Sequence, residues 1–110
     1  MNLEVSFRNL RARDEIKVRA QALFDKLERF LDAASEGGLV VAVEHDKAIM
    51  ELVVRAAGET HTVTEEDDDL RTALDRAFHT MEVRLRRSKE RRIDRSHASV
   101  PPADGFTTTE

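Results

Sequence analysis

LVVAVEHDKAIMELVVRAAGETHTVT, residues 39–64, decides the fold. Leu39–Glu44 reads as a strand, and His45-Asp46-Lys47 as a tight turn. In Ala48–Ala57 the period becomes two: Met50, Leu52, Val54 and Ala56 face inward against Glu51 and Arg55. Ala57-Gly58-Glu59 turns the chain again into Thr60–Thr64, a Thr/Val strand of weak amphipathicity. Two successive hairpins predict a three-stranded antiparallel meander.

Upstream, Leu3, Val5 and Phe7 alternate with Asn2, Glu4 and Ser6, the pattern of a half-buried strand. Residues 14–34 carry helical period. Ile16, Ala20, Leu23, Phe24, Leu27, Phe30, Leu31 and Ala34 share one face, with Val18 opposite as an exposed exception. Ser35-Glu36-Gly37-Gly38 is expected to stop that helix, since glycine takes a left-handed C-terminal conformation without steric penalty. Downstream, Asp67-Asp68-Asp69 opens a second helix whose carboxylates can accept free backbone N–H groups. Its inner face is Leu70, Ala73, Leu74, Ala77, Phe78, Met81 and Leu85.

The order is β-α-β-β-β-α. A crossover helix makes the first two strands parallel, and each helix has one stripe to bury. The expectation is an α+β domain over residues 1–96: a four-stranded mixed sheet with both helices packed on one face. Residues 97–110, with paired prolines and no periodicity, are expected to form a disordered tail.

The apolar stripe of the second helix ends at Leu85. Ser88 and Arg92 follow on the same face, and neither is buried unpaired at reasonable cost. The helix is therefore expected to project beyond the core as a basic rod. Arg84–Arg95 holds seven basic and two acidic residues, +5 in a chain whose total is −4. Arg76, Arg84, Arg87 and Arg91 lie along one flank of the stripe, and Arg86, Lys89 and Arg92 add to the rod. Arg19, Lys26 and Arg29 occupy the same rotational flank of the first helix. These ten residues are the candidate RNA-binding set, because ribs of arginine suit regularly spaced phosphates. The competing reading is a solvated face laced with i,i+4 pairs such as Arg86–Glu90. The acidic stretch Thr64–Asp69 would repel nucleic acid and orient the basic end toward it.

The composition excludes much. With no Cys there is no disulfide, thiolate site or Cys nucleophile, and with no Trp or Tyr there is little on which unpaired bases could stack. The longest apolar run, Leu39–Val43, is far too short to span a membrane. His45, His61, His79 and His97 have no metal-ligand spacing, and Thr64–Asp69 lacks that of a calcium loop. No phosphate loop or nucleophile elbow occurs. The expectation is a cytoplasmic non-enzyme without metal or cofactor, a monomer when free.

In their order and spacing the residues resemble the ribosome hibernation promoting factors, the short ribosome-associated inhibitors also called ribosomal subunit interface proteins. The resemblance rests on Phe7-Arg8-Asn9, on Lys26-Leu27-Glu28-Arg29-Phe30, on Asp69-Leu70-Arg71-Thr72-Ala73-Leu74-Asp75 and on Arg84-Leu85-Arg86-Arg87-Ser88-Lys89, and covers residues 3–93. Arg71 stands where the family has a helix-opening tyrosine, Ala22 and Leu23 where it has paired basic residues, and Arg13 where it has a Thr or Ser cap. The family fold is β-α-β-β-β-α, and the chain is similar to its short form. The resemblance implies binding to the small ribosomal subunit over the messenger and transfer RNA sites, translation inhibition and protection of idle ribosomes under stress. The alternatives are a βαβββα protein-interaction or regulatory module whose basic helix meets an acidic partner, and a general double-stranded RNA binder.

Overall fold

The computed structural model describes residues 2–28, 36–56 and 58–97. Its elements run β1 (Asn2–Arg8), α1 (Asp14–Leu27), β2 (Glu36–Glu44), β3 (Lys47–Ala56), β4 (Glu59–Asp67) and α2 (Leu70–His97). They form an α+β fold in the expected β-α-β-β-β-α order, with a four-stranded mixed sheet ordered β1-β2-β3-β4. β1 runs parallel to β2, and the other two pairings are antiparallel.

The turn between β2 and β3 has two residues, with Lys47 already paired to Glu44. His45 (φ 53°) and Asp46 (φ 64°) are both left-handed, as a type I′ hairpin turn requires to match the twist of its strands. Across the sheet, Leu39 pairs with Leu52 and Leu52 with Val63, and one step along Val41 pairs with Met50. All five are buried, and they meet Ile16, Phe24 and Leu27 of α1 and Leu74, Phe78 and Met81 of α2 in one apolar cluster. The expected inward faces of β3 and α2 are therefore the observed ones, Leu70 being half-buried. Val18 is 69% exposed, as its place opposite the stripe foretold.

Two expectations are corrected. Gly37 and Gly38 do not cap α1: they are strand residues of β2, paired with Leu3 and Glu4 of β1 and with Val54 and Val53 of β3. Gly37 is small because the Phe24 ring lies over it. A Cβ there would stand 2.6 Å from Phe24 Cε1 and 3.0 Å from Leu3 Cδ1. The second correction concerns β4, which runs on through Glu65, Glu66 and Asp67, so α2 opens at Leu70. Asp69 is its cap: one carboxylate oxygen accepts both the Thr72 N–H and the Thr72 hydroxyl, each at 2.9 Å. Of the expected tail over 97–110, His97 is still helical in α2; Phe30, Leu31, Ala34 and residues 98–110 lie outside the described residues.

Candidate nucleic-acid interface

Register fixes what lies beneath α2. Glu59, His61, Val63, Glu65 and Asp67 are the β4 residues paired with the buried face of β3, so they share the helix side of the sheet. Four of those five are polar or charged. The i,i+4 column Arg76, Thr80, Arg84 and Ser88 of α2 answers them. Arg76 reaches Asp67 (3.0 Å) and the carbonyl of Glu66 (3.2 Å). Thr80 donates to Glu65 (3.1 Å), Arg84 to the carbonyl of Thr62 (2.6 Å), and Ser88 to Glu59 (2.9 Å). His61 Nε2 lies 3.3 Å from the same Glu59 oxygen. The column straps α2 to the edge strand.

That strap extends the buried stripe by one turn. Ser88 is only 3% exposed, and its hydroxyl is satisfied by Glu59, so the core reaches past Leu85 where the stripe was expected to stop. The acidic segment is likewise tied in. Asp67 accepts the Asp69 N–H, which together with the positive charge of Arg76 holds its carboxyl below the ordinary carboxylate range. Asp68 pairs with Lys47 at 2.7 Å and raises the lysine pKa, chiefly through that hydrogen bond.

The ten candidate cations separate by what they touch. Arg19 is a bidentate partner of Asp75 (2.7 and 2.9 Å) and joins α1 to α2. Arg76 is neutralised by Asp67, on the β4 side of the helix. Arg86 pairs with Glu82 one turn earlier, at 2.7 Å. Arg19 thus reaches the neighbouring helix, while Arg76 and Arg84 reach the sheet edge. Arg84 bonds a neutral carbonyl and has no carboxylate in ion-pair range among the described residues, so its charge stays uncompensated. Lys26 and Arg87 are exposed and make no polar contact among the described residues. Arg87, Arg84 and His79 line a shallow cavity of about 360 Å³ along α2. Lys89 is half-buried and engaged within the chain. Arg91 and Arg92 fall in the last turns of α2, where only the helical backbone is described, and Arg29 lies outside the described residues.

Five further cations escaped the sequence reading. Arg8, Arg11, Arg13, Lys17 and Arg71 are exposed, and their side chains have no polar partner among the described residues. Arg8, Arg11 and Arg13 stand in or beside the β1–α1 connection, and Arg71 in the first turn of α2. The Arg19–Asp75 pair sets the starts of the two helices side by side, so these arginines gather at the end of the fold opposite the rod. The signal was the triplet in Phe7-Arg8-Asn9-Leu10-Arg11-Ala12-Arg13, which helical phasing passes over because it is loop. Among the described residues, no group of three or more His, Asp or Glu is placed to hold a metal, and no helix is long and apolar enough to cross a membrane.

Residues 3–93 match the model of the family described as Sigma 54 modulation protein / S30EA ribosomal protein. The Protein Y N-terminal domain of Thermus thermophilus is similar at 32% identity, over 79% of this chain and 98% of that one, with a TM-score of 0.74. A ribosomal subunit interface protein from Coxiella burnetii is similar at 18% identity, over 82% and 99% of the two chains, with a TM-score of 0.66, a likeness of fold alone. No curated protein matches the chain.

Proposed function

The chain belongs to the Sigma 54 modulation protein / S30EA ribosomal protein family, and from that premise we propose that it binds the small ribosomal subunit and inhibits translation. It would act in the cytoplasm on idle ribosomes, lying over the messenger and transfer RNA sites and contacting ribosomal RNA with the basic residues of α2 and the exposed Lys26. One observation carries the reading: α2 continues as helix to His97 through a run of +5 charge, with Arg84 and Arg87 uncompensated among the described residues. A rigid helix holding arginines at three- and four-residue spacing presents them to a folded RNA as a shape, which is how structured RNA is recognised. The acidic remainder of the chain resists indiscriminate coating of polyanions.

The test is a salt series of small-subunit affinity for Arg87→Gln and Lys26→Gln beside the parent. Both side chains lack a role in the fold, so lost affinity with an unchanged melting temperature reports lost contact with RNA. Each phosphate contact removed flattens the log–log salt dependence by roughly 0.7–0.9. Arg19→Gln and Arg76→Gln, whose charges are already neutralised, lower stability and leave that slope alone. Equal affinities and slopes for parent and the Arg87 and Lys26 variants would mean a solvated face, and the protein-partner reading would replace this one.

A further inference from the structure

The two edges of the sheet differ in chemistry. β4 is polar along its length, with Glu59, Glu65, Glu66 and Asp67 among its nine residues, and any second copy laid against it would bring carboxylates together. β1 is regular over seven residues, carries no proline, and is unpaired on its outer side among the described residues. An open edge of this kind is a template for another strand. Beside it, Leu3 and Val5 of β1 and Lys17, Val18 and Gln21 of α1 line a groove of about 420 Å³. Val18 is the one exposed large hydrophobic side chain among the described residues. Glu4 and Arg8, on the face of β1 away from the helices, make no ion pair among the described residues.

We propose that β1 is a self-association edge, pairing antiparallel with β1 of a second copy about a two-fold axis through Ser6, so that two sheets become one. The register follows from charge and pleat. Paired residues must share a face, so the axis passes through a residue, and Glu4, Val5 and Ser6 are the centres that leave a useful overlap. Centring on Glu4 opposes two like charges. Centring on Val5 sets Glu4 against Ser6 and leaves both charges unanswered. Centring on Ser6 sets Glu4 against Arg8 twice on the outer face and Val5 against Phe7 twice on the helix face. Opposite charges and apolar pairs directly across strands are the favourable combinations. The strand also ends where this overlap ends, at Asn9, whose left-handed φ of 65° takes it out of the ladder. The partner's inward side chains then enter the groove beneath Val18, which accounts for an exposed valine at that place.

The test uses the full chain without ribosomes, so its outcome does not depend on the proposed function. Sedimentation equilibrium up to about 0.5 mM should show a monomer–dimer equilibrium for the parent. Glu4→Arg and Arg8→Glu should each weaken it by about fivefold or more, because each turns two attractions into two repulsions. The double reversal Glu4→Arg with Arg8→Glu should restore the parent affinity within about twofold. Ser6→Cys, in a chain that has no cysteine, should form an intermolecular disulfide on mild oxidation, with Val5→Cys as the control that does not. Exposed Glu4 and Arg8 do not carry the fold, and unchanged far-ultraviolet circular dichroism confirms that for each variant. A parent that stays monomeric over the whole range, as the composition alone would suggest, overturns the proposal. So does a dimer indifferent to single charge reversal, since its register would be another.

Discussion

Replacing Gly37 by alanine tests the packing of the β1–β2 crossover at its tightest point. The added Cβ would meet Phe24 Cε1 at 2.6 Å, Leu3 Cδ1 at 3.0 Å and Phe24 Cζ at 3.1 Å. Carbon atoms in ordinary contact stand about 3.5–4.0 Å apart, so the ring must retreat by about 1 Å. Phe24 is fully buried and has little freedom to do so. Overpacking of this kind costs about 1–3 kcal/mol. Alanine in a strand returns about 0.5–1 kcal/mol of backbone entropy relative to glycine. Gly38→Ala receives the same entropic gain with nothing within 4 Å of the new methyl, so it should be neutral or stabilising. The difference between these neighbours is therefore the overpacking cost itself, about 1–3 kcal/mol. Urea titrations with a common slope measure it, and for a domain of this size each kcal/mol corresponds to roughly 4–8 °C in Tm. Phe24→Leu, which vacates the ring edge, should make Gly37→Ala less costly than in the parent, a coupling visible in a double-mutant cycle. Equal shifts at 37 and 38 would refute the strand placement. A larger loss at 38 would revive the helix-cap reading, in which a glycine with positive φ is the one that resists a side chain.

Leu27→Ala and Phe78→Ala, each removing a side chain at most 2% exposed, should cost about 2–5 kcal/mol in the same assay; a loss below 1 kcal/mol at either would contradict its place in the core. Asp67 should contribute to acid sensitivity. Its folded pKa is depressed, so the stability it adds is present above the unfolded carboxylate value and fades as pH falls through the lower folded one. Between about pH 6 and pH 2 the Tm of Asp67→Asn should therefore decline less steeply than that of the parent, and parallel profiles would remove Asp67 from the account.

Periodicity carried the topology because β3 and α2 each have one wet face and one dry face. Met50, Leu52 and Val54 could only point one way, and so could Leu74, Phe78 and Met81. The reading failed where residue type and environment part company. Gly37 looks like a helix stop, yet its smallness answers to a ring arriving from Phe24, a contact across 13 residues of sequence that no local pattern records. Asp67 looks like the head of a helix, yet with Glu65 it extends a strand, because Arg76 and Thr80 supply from α2 the partners that an acidic strand face lacks. Ser88 looks like the end of a stripe, and becomes part of the core because Glu59 accepts a hydrogen bond from its hydroxyl.

These partnerships bear directly on the basic residues. An arginine on a helix flank can serve the fold or a ligand, and spacing does not say which. Arg19, Arg76 and Arg86 each sit within 3.0 Å of a carboxylate; taking them for RNA would mean breaking an ion pair to make another, with little net gain. Arg84 stands differently, since a carbonyl orients its guanidinium without cancelling its charge. Such an arginine is positioned by the fold and still attractive to a phosphate. Arg87 and Lys26 are neither held nor neutralised among the described residues, so they should contribute attraction at the cost of ordering a long side chain. The strap along β4 therefore does two things with one column: it closes the core at an otherwise polar edge, and it fixes there one arginine with no carboxylate partner among the described residues, on a helix that runs on to His97.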